Sequence, residues 1–353
     1  MSPSPVNFGH LIKLTDETGI VEHALGSIPR RKEGYSTDDQ ARALWACLEW
    51  VELGGEEDAA ALEPLIDTYL AFLLWAQQEN GRFHNNYAFE RTKEDETASD
   101  DCLGRCLWAC ALAMTKLKER ERRMAAEAMF VKALPQAERM RSPRGWAYAL
   151  SAFGLLVRHA FPEPLVPRIE KLASRLTDGY ERHAKPGWHW FEPILVYSNG
   201  ILPWGLLCAY EVLKRDDLLA MAIDSLDFLI RLSVNDRGHI RPVGNKGWCT
   251  PEYRAIWDQQ PVDVMKLALA ASKAYEITGA PSYADIVAKC RSWFHGDNDA
   301  GAAMVDPGNG GCFDGLTENG PNLNQGAESV LSYLLTEAVY AKLNADTRRG
   351  EGT

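Results

Sequence analysis

Six stretches of this chain carry apolar and small residues at helical spacing, and a short polar cluster precedes each one. Ser36-Thr37-Asp38-Asp39 runs into Ala41, Leu44, Trp45, Cys47, Leu48 and Val51, while Ser99-Asp100-Asp101 runs into Leu103, Cys106, Leu107, Trp108 and Cys110. Ser142-Pro143-Arg144, Ser198-Asn199-Gly200, Trp257-Asp258-Gln259-Gln260-Pro261 and Asn324-Gln325-Gly326 stand before four further runs of the same kind. Polar residues there satisfy the free N–H groups of a first helical turn, with Thr37 or Asp38 predicted as one such cap, and acids suit the positive end of the dipole. The starts recur about every 40 to 65 residues, which marks a repeat architecture. Each run is apolar nearly all round, so each predicts a buried helix.

Between the buried runs lie amphipathic ones, predicted near 62–78, 125–140, 165–183, 218–234 and 283–296, with charged outer faces. Buried and amphipathic helices in alternation predict an all-α (α/α)6 toroid, six inner helices ringed by outer ones. The sixth outer helix is poorly marked: Phe8 to Leu14 starts one, and Asp16-Glu17-Thr18-Gly19 breaks it. Glycine-led alternating segments at 80–85, 187–192, 238–242 and 311–315 predict short β-hairpins. They fall before inner helices, so they gather at one mouth of the ring. With no Pro/Ser-rich linker or charge run, residues 1–353 read as one domain with loose ends at 1–7 and 345–353.

Composition narrows the function. A net charge of -11 argues against nucleic acid and anionic membrane as partners. Met1-Ser-Pro-Ser-Pro is no secretory leader, no apolar run is expected to approach the roughly 18 residues that span a bilayer, and scattered cysteines suit reduced thiols, so a cytoplasmic protein is expected. Cys102, Cys106 and Cys110 share one helix side and read as packing. No metal or other cofactor is expected: the histidines lack paired spacing, and Gly308-Asn309-Gly310-Gly311 lacks the Lys-Ser/Thr of a phosphate loop.

Acids, amides and aromatics remain at the predicted mouth. Asp38, Asp39, Asp100, Asp101, Glu192, Asp258, Asp314 and Glu328 are the acids; Asn199, Asn245, Gln259, Gln260, Asn324 and Gln325 are among the amides; Tyr35, Trp188, Trp190, Tyr197 and Trp248 are among the aromatics. Indole faces stack on sugar rings while carboxylates and amides pair with hydroxyls, so an oligosaccharide is the expected ligand. Acetal cleavage needs two carboxyls in different environments. Glu192, inside Trp-His-Trp-Phe-Glu-Pro and neither a cap nor on a charged face, is the expected general acid, and burial by Trp190 is expected to raise its pKa. Asp39 or Asp101 is the expected base or nucleophile. Asp258 beside Trp257 is another candidate for a raised pKa, although it also suits a helix cap, and Asp314 in Asp-Gly reads as a turn residue.

Tyr35-Ser-Thr-Asp-Asp-Gln-Ala-Arg-Ala-Leu44, Gly81-Arg-Phe-His-Asn85, Trp190-Phe-Glu192, Arg241-Pro-Val-Gly-Asn-Lys-Gly-Trp248, Asp258-Gln-Gln-Pro261 and Asn324-Gln-Gly-Ala-Glu-Ser329 resemble a family of bacterial helical proteins. These occur alone or joined to glycosyltransferase domains, and are often labelled glycosyltransferase. The family is similar to six-hairpin toroid carbohydrate enzymes, which implies a sugar site at the mouth, His84 among its residues, and a functional pairing with a glycosyltransferase. Two departures stand out: Asp100-Asp101-Cys102-Leu103-Gly104-Arg105 replaces Glu-Asp-Ser-His-Gly-Arg, and Tyr197-Ser198-Asn199 replaces Tyr-Asp-Asn. The expected activity is a glycoside hydrolase acting on a short oligosaccharide. Rival readings are a sugar epimerase or isomerase, for which His84, His189 and His239 are the loop histidines, and a non-catalytic glycan-binding protein.

Overall fold

The computed structural model describes residues 6–350, and twelve α-helices account for most of them. Six inner helices are α2 (Thr37–Leu53), α4 (Asp100–Lys116), α6 (Pro143–Arg158), α8 (Ile201–Leu213), α10 (Pro261–Thr278) and α12 (Ala327–Gly350). Outside them lie α1 (Gly9–Leu14), α3 (Glu56–Ala76), α5 (Arg120–Ala137), α7 (Val166–His183), α9 (Asp216–Ser233) and α11 (Pro281–Phe294). Each inner helix packs on the next, and α12 packs back on α2 to close the ring. The toroid expected from the alternating runs is the fold. The sixth outer helix is α1, of six residues, set against α12.

Local chemistry starts the helices where expected, with one correction. At α2 the cap is Ser36, not Thr37 or Asp38: its hydroxyl accepts from the Asp39 N–H at 3.2 Å. Ser99 does the same for Cys102 at 3.0 Å in α4. Proline begins α6 and α10, where its missing N–H costs nothing, and Gly279, at φ 68°, ends α10. Inner helices approach closely through small residues. A Cβ on Gly104 of α4 would lie 2.8 Å from the Gly145 carbonyl of α6, so only glycine permits that contact.

The ring axis is filled by indoles. Trp45, Trp108 and Trp204, from three different inner helices, meet with centroids 4.9 to 6.3 Å apart. All eight cysteines are free and buried, and Cys102, Cys106 and Cys110 sit in the core. By length and composition α3 is apolar enough to cross a membrane, although no such run was expected; here it packs on α2 as an outer helix.

Antiparallel pairs are short: β1 (Ala24–Leu25) with β2 (Ile28–Pro29), β3 (Tyr35–Ser36) with β4 (Asn86–Tyr87), and β5 (Gly315–Thr317) with β6 (Gly320–Asn322). At the glycine-led segments 80–85, 187–192 and 238–242 the expected hairpins shrink to single bridges, such as Gln77 with Phe83 and Lys185 with Trp188, whereas 311–315 carries a bridge at Cys312 and runs into the β5–β6 hairpin at Gly315. At the carboxyl end α12 continues to Gly350, so helix occupies part of the expected loose 345–353 segment; residues 1–5 and 351–353 lie outside the described residues.

Candidate active site

Neighbouring inner helices are tied start to start, which puts their N-termini at one end. Arg42 of α2 reaches Asp39 in its own first turn at 2.7 Å and Glu328 of α12 at 2.5 Å. Arg105 of α4 holds Asp38 of α2 at 2.6 Å. Ser142, at the start of α6, donates to Asp101 of α4 at 2.5 Å, and Tyr197 donates to the other Asp101 oxygen at 2.6 Å. Arg144 of α6 pairs with Glu192 through two nitrogens at 3.1 and 3.2 Å, donates to the Tyr197 carbonyl, and lies 4.7 Å over the Tyr197 ring. The Asn199 N–H donates to Asp263 of α10 at 3.3 Å. Below these, the fully buried Lys266 amine lies about 5 Å over the rings of Trp45 and Tyr148, with no hydrogen-bond partner among the described residues.

A cleft of about 340 Å³ opens into this end. Its walls carry five carboxyls, from Glu22, Asp39, Asp258, Asp314 and Glu328, together with Arg42, His23, Asn245 and Gln260. Environment separates the acids. Burial, then the nearby Asp39 charge, pushes Glu22 up to about 8, so it is protonated at neutral pH. Burial also raises Asp39 against the pull of Arg42, and raises Asp314 against the N–H of Gly326. For Glu328, burial is outweighed by Arg42 and Arg105, which hold it below the usual carboxylate value. Its side chain is 44% exposed, open to the cleft. A neutral carboxylic acid and a charged carboxylate thus share one cavity.

The expected site residues divide into groups. Asp39, Asn245, Asp258, Gln260 and Glu328 line the cleft together, and Asp258 lies 3.5 Å from Lys246. Asp38, Asp101, Glu192, Tyr197 and Asn199 belong to the ion-paired rim just described and do not line it. Trp248 stands by Tyr197 at 6.5 Å.

Others serve the scaffold. Trp188 and Trp190 are 2% and 0% exposed, turned inward against Phe228 and Phe191, so neither offers a ring face to a sugar. Buried Tyr35 donates to Asp16. His84 faces Glu96, whose carboxylate also takes the N–H groups of Asn85 and Asn86. Gln259 is enclosed between Asp299 and Trp293, while Asn324 and Gln325 hold the β1–β2 turn through Gly26. His189 pairs with Asp224 on outer helix α9. Neither it nor His84 nor His239 lines the cleft, whereas His23 does.

Glu22, His23 and Arg42 were not anticipated. The first two precede β1 rather than an inner helix, so a search of helix starts passes over them. Arg42 had a visible signal: a cation one turn after an acid inside an otherwise apolar helix.

No protein-family model matches the chain, and no curated protein matches it. Solved structures do. A cellobiose 2-epimerase from Bacillus thermoamylovorans is similar with a TM-score of 0.75 at 13% identity, over 96% of each chain. A D-mannose isomerase has a TM-score of 0.69 at 14% identity over 94% of each chain. An α-1,6-mannanase from a Salegentibacter species, inactive through replacement of two adjacent aspartates and bound to α-1,6-mannotetrose, has a TM-score of 0.62 at 12% identity, covering 95% of this chain and 96% of that one. These likenesses show the six-hairpin toroid fold.

Proposed function

We propose that this chain is a carbohydrate-active enzyme that hydrolyses a glycosidic bond of a short oligosaccharide in the cleft at the toroid mouth. One observation carries the reading: Glu22, protonated at neutral pH, shares the cleft with Glu328, which Arg42 keeps charged. Carboxyls pushed apart in this way divide into a proton donor and a charged partner. Glu22 gives its proton to the bridging oxygen as the C–O bond breaks. Glu328 offsets the positive charge that develops on the sugar ring. The attacking water loses its proton to Asp258 or Asp314 on the same walls.

This assignment moves the acid from Glu192, which is committed to Arg144 away from the cleft, and the base from Asp39, which is enclosed by Ser36 and Arg42. Asp39 then acts as the group that orients Arg42. All three similar toroids act on sugars, and the mannanase loses activity when two adjacent aspartates are replaced. Adjacent acids open two inner helices here, Asp38-Asp39 and Asp100-Asp101. A second reading, epimerisation, draws on the epimerase likeness and on His23 in the cleft; two-sided proton movement wants a pair of histidines, and among the described residues the lining holds His23 alone.

Incubation of a panel of gluco-, manno- and galacto-oligosaccharides in D2O separates the readings. Hydrolysis yields new reducing ends without deuterium on ring carbon. Epimerisation yields a new sugar carrying deuterium at the inverted carbon and overturns the proposal, as does binding without any turnover.

A further inference from the structure

Beside the mouth, between the α5–α6 connection, α6 and α7, lies a second depression that the proposed reaction does not use. This open groove, of about 640 Å³, is lined by Glu138, Arg139, Met140, Arg141, Trp146 and Arg175. In a chain of net charge -11 its electrostatics run the other way. Three arginines, Arg139, Arg141 and Arg175, stand in its lining against one acid, Glu138, whose carboxylate is taken up by Arg168 and Lys171. Arg139 and Arg141 are exposed, and their guanidinium groups have no partner among the described residues. Arg175 is immobilised by the Glu138 and Met140 carbonyls at 2.9 and 3.1 Å and lies 5.6 Å over the half-buried Trp146 ring. Trp146 is itself fixed by its indole N–H donating to Met140 at 2.8 Å. The groove therefore presents two free guanidinium groups over a rigid floor.

Its position joins it to the mouth. The Arg141 N–H donates to Asp100 at 2.6 Å, Asp101 follows in sequence and holds Tyr197, and Tyr197 stands beside Trp248 on the loop that carries Asn245 into the cleft. Tyr197, 39% exposed, offers an aromatic edge on this path, whereas Trp188 and Trp190 are turned inward.

We propose that the groove is an accessory subsite for an anionic group, a carboxylate, phosphate or sulfate, on a glycan whose neutral residue occupies the acidic cleft. The reasoning rests on the carbohydrate reading of that cleft. Planar guanidinium groups match such oxyanions with paired N–H donors, whereas the carboxyl-lined cleft repels them. The two poles set the direction of the chain: acidic sugar over α6, neutral sugar at Glu22.

An array of neutral, uronate-bearing, phosphorylated and sulfated oligosaccharides tests this with the full chain and with an Arg139→Gln/Arg141→Gln double variant. Both arginines are exposed, so the fold is retained, and circular dichroism checks it. Wild type is expected to retain anionic glycans, the array reporting which oxyanion, and the double variant to lose at least about ten-fold in affinity for them; 0.5 M NaCl weakens wild-type binding in the same way. Turnover of a neutral oligosaccharide stays at the wild-type level in the double variant, whereas Glu22→Gln lowers turnover about 10²- to 10⁴-fold and keeps anionic binding. A profile confined to neutral glycans, or anionic binding unchanged in the double variant, overturns the subsite. Loss of turnover in no cleft variant overturns the cleft reading instead.

Discussion

Arg42→Met is the sharpest perturbation of the clasp that closes the ring. Arg42 is 5% exposed and its Asp39 partner 2%, so the change leaves a carboxylate enclosed without its counter-ion. Removing one member of a buried pair costs about 3 to 5 kcal/mol. Glu328 adds little, because its side chain opens to the cleft and exposed pairs contribute about 0 to 1 kcal/mol. Asp39 can escape part of the cost by taking a proton. Its folded pKa, already raised by burial, climbs further without Arg42, while the unfolded value stays at about 3.9. A group raised in this way stabilises the fold fully below its unfolded pKa and loses that contribution as pH rises through the folded pKa. The deficit of Arg42→Met is therefore largest at pH 7 to 8 and shrinks towards pH 4. Urea unfolding of wild type and variant across this range measures it, and adding Asp39→Asn to Arg42→Met recovers part of the loss at pH 7. A deficit below about 1 kcal/mol at pH 7, or one that grows on acidification, refutes the account.

Three further expectations concern Glu22, Lys266 and Trp190. Glu22→Gln lowers turnover about 10²- to 10⁴-fold, and wild-type turnover falls as pH rises through about 8, where Glu22 loses its proton; a wild-type rate flat to pH 9.5 argues against Glu22 as the acid. Burial, with Arg105 and Arg42 close by, holds the Lys266 amine well below its ordinary value, so wild-type stability gains from rising pH up to the unfolded lysine pKa. Lys266→Met should accordingly melt above wild type at pH 6, by a margin that narrows at pH 9.5, and a variant melting lower at both refutes this. Trp190→Ala empties a fully enclosed site and costs about 3 to 5 kcal/mol; an unchanged melting point with weakened sugar binding would return Trp190 to the ligand.

The ring was legible because it repeats: a polar start and an all-apolar helix, written six times, leave few other packings. Asp39, Asp258 and Glu328 reached the cleft for the same reason, since helix starts gather at one end. What stayed hidden depends on partners far along the chain. Glu192 looked like a proton donor because its neighbours in sequence are indoles, but the group that decides its chemistry is Arg144, 48 residues earlier. Trp188 and Trp190 have the composition of a sugar platform, and a core uses the same residues; only Phe228 on α9 shows which way they turn. Glu22 lies outside every periodic segment and becomes an acid of the cleft because α12 returns to α2. The Ser36 cap differed from expectation by a single residue, which is the ordinary uncertainty of a helix boundary.

That return has a temporal consequence. Arg42 and Glu328 are 286 residues apart, while each inner helix and its outer partner meet within a few tens of residues. Hairpins can therefore form one after another as the chain leaves the ribosome, but the longest loop closure, and the slowest in entropic terms, is left until last. Glu22 and Asp39 wait exposed on an open crescent until Asp314 and Glu328 arrive. A chain still in synthesis has no cleft, and so can enclose a ligand only after its ring is finished.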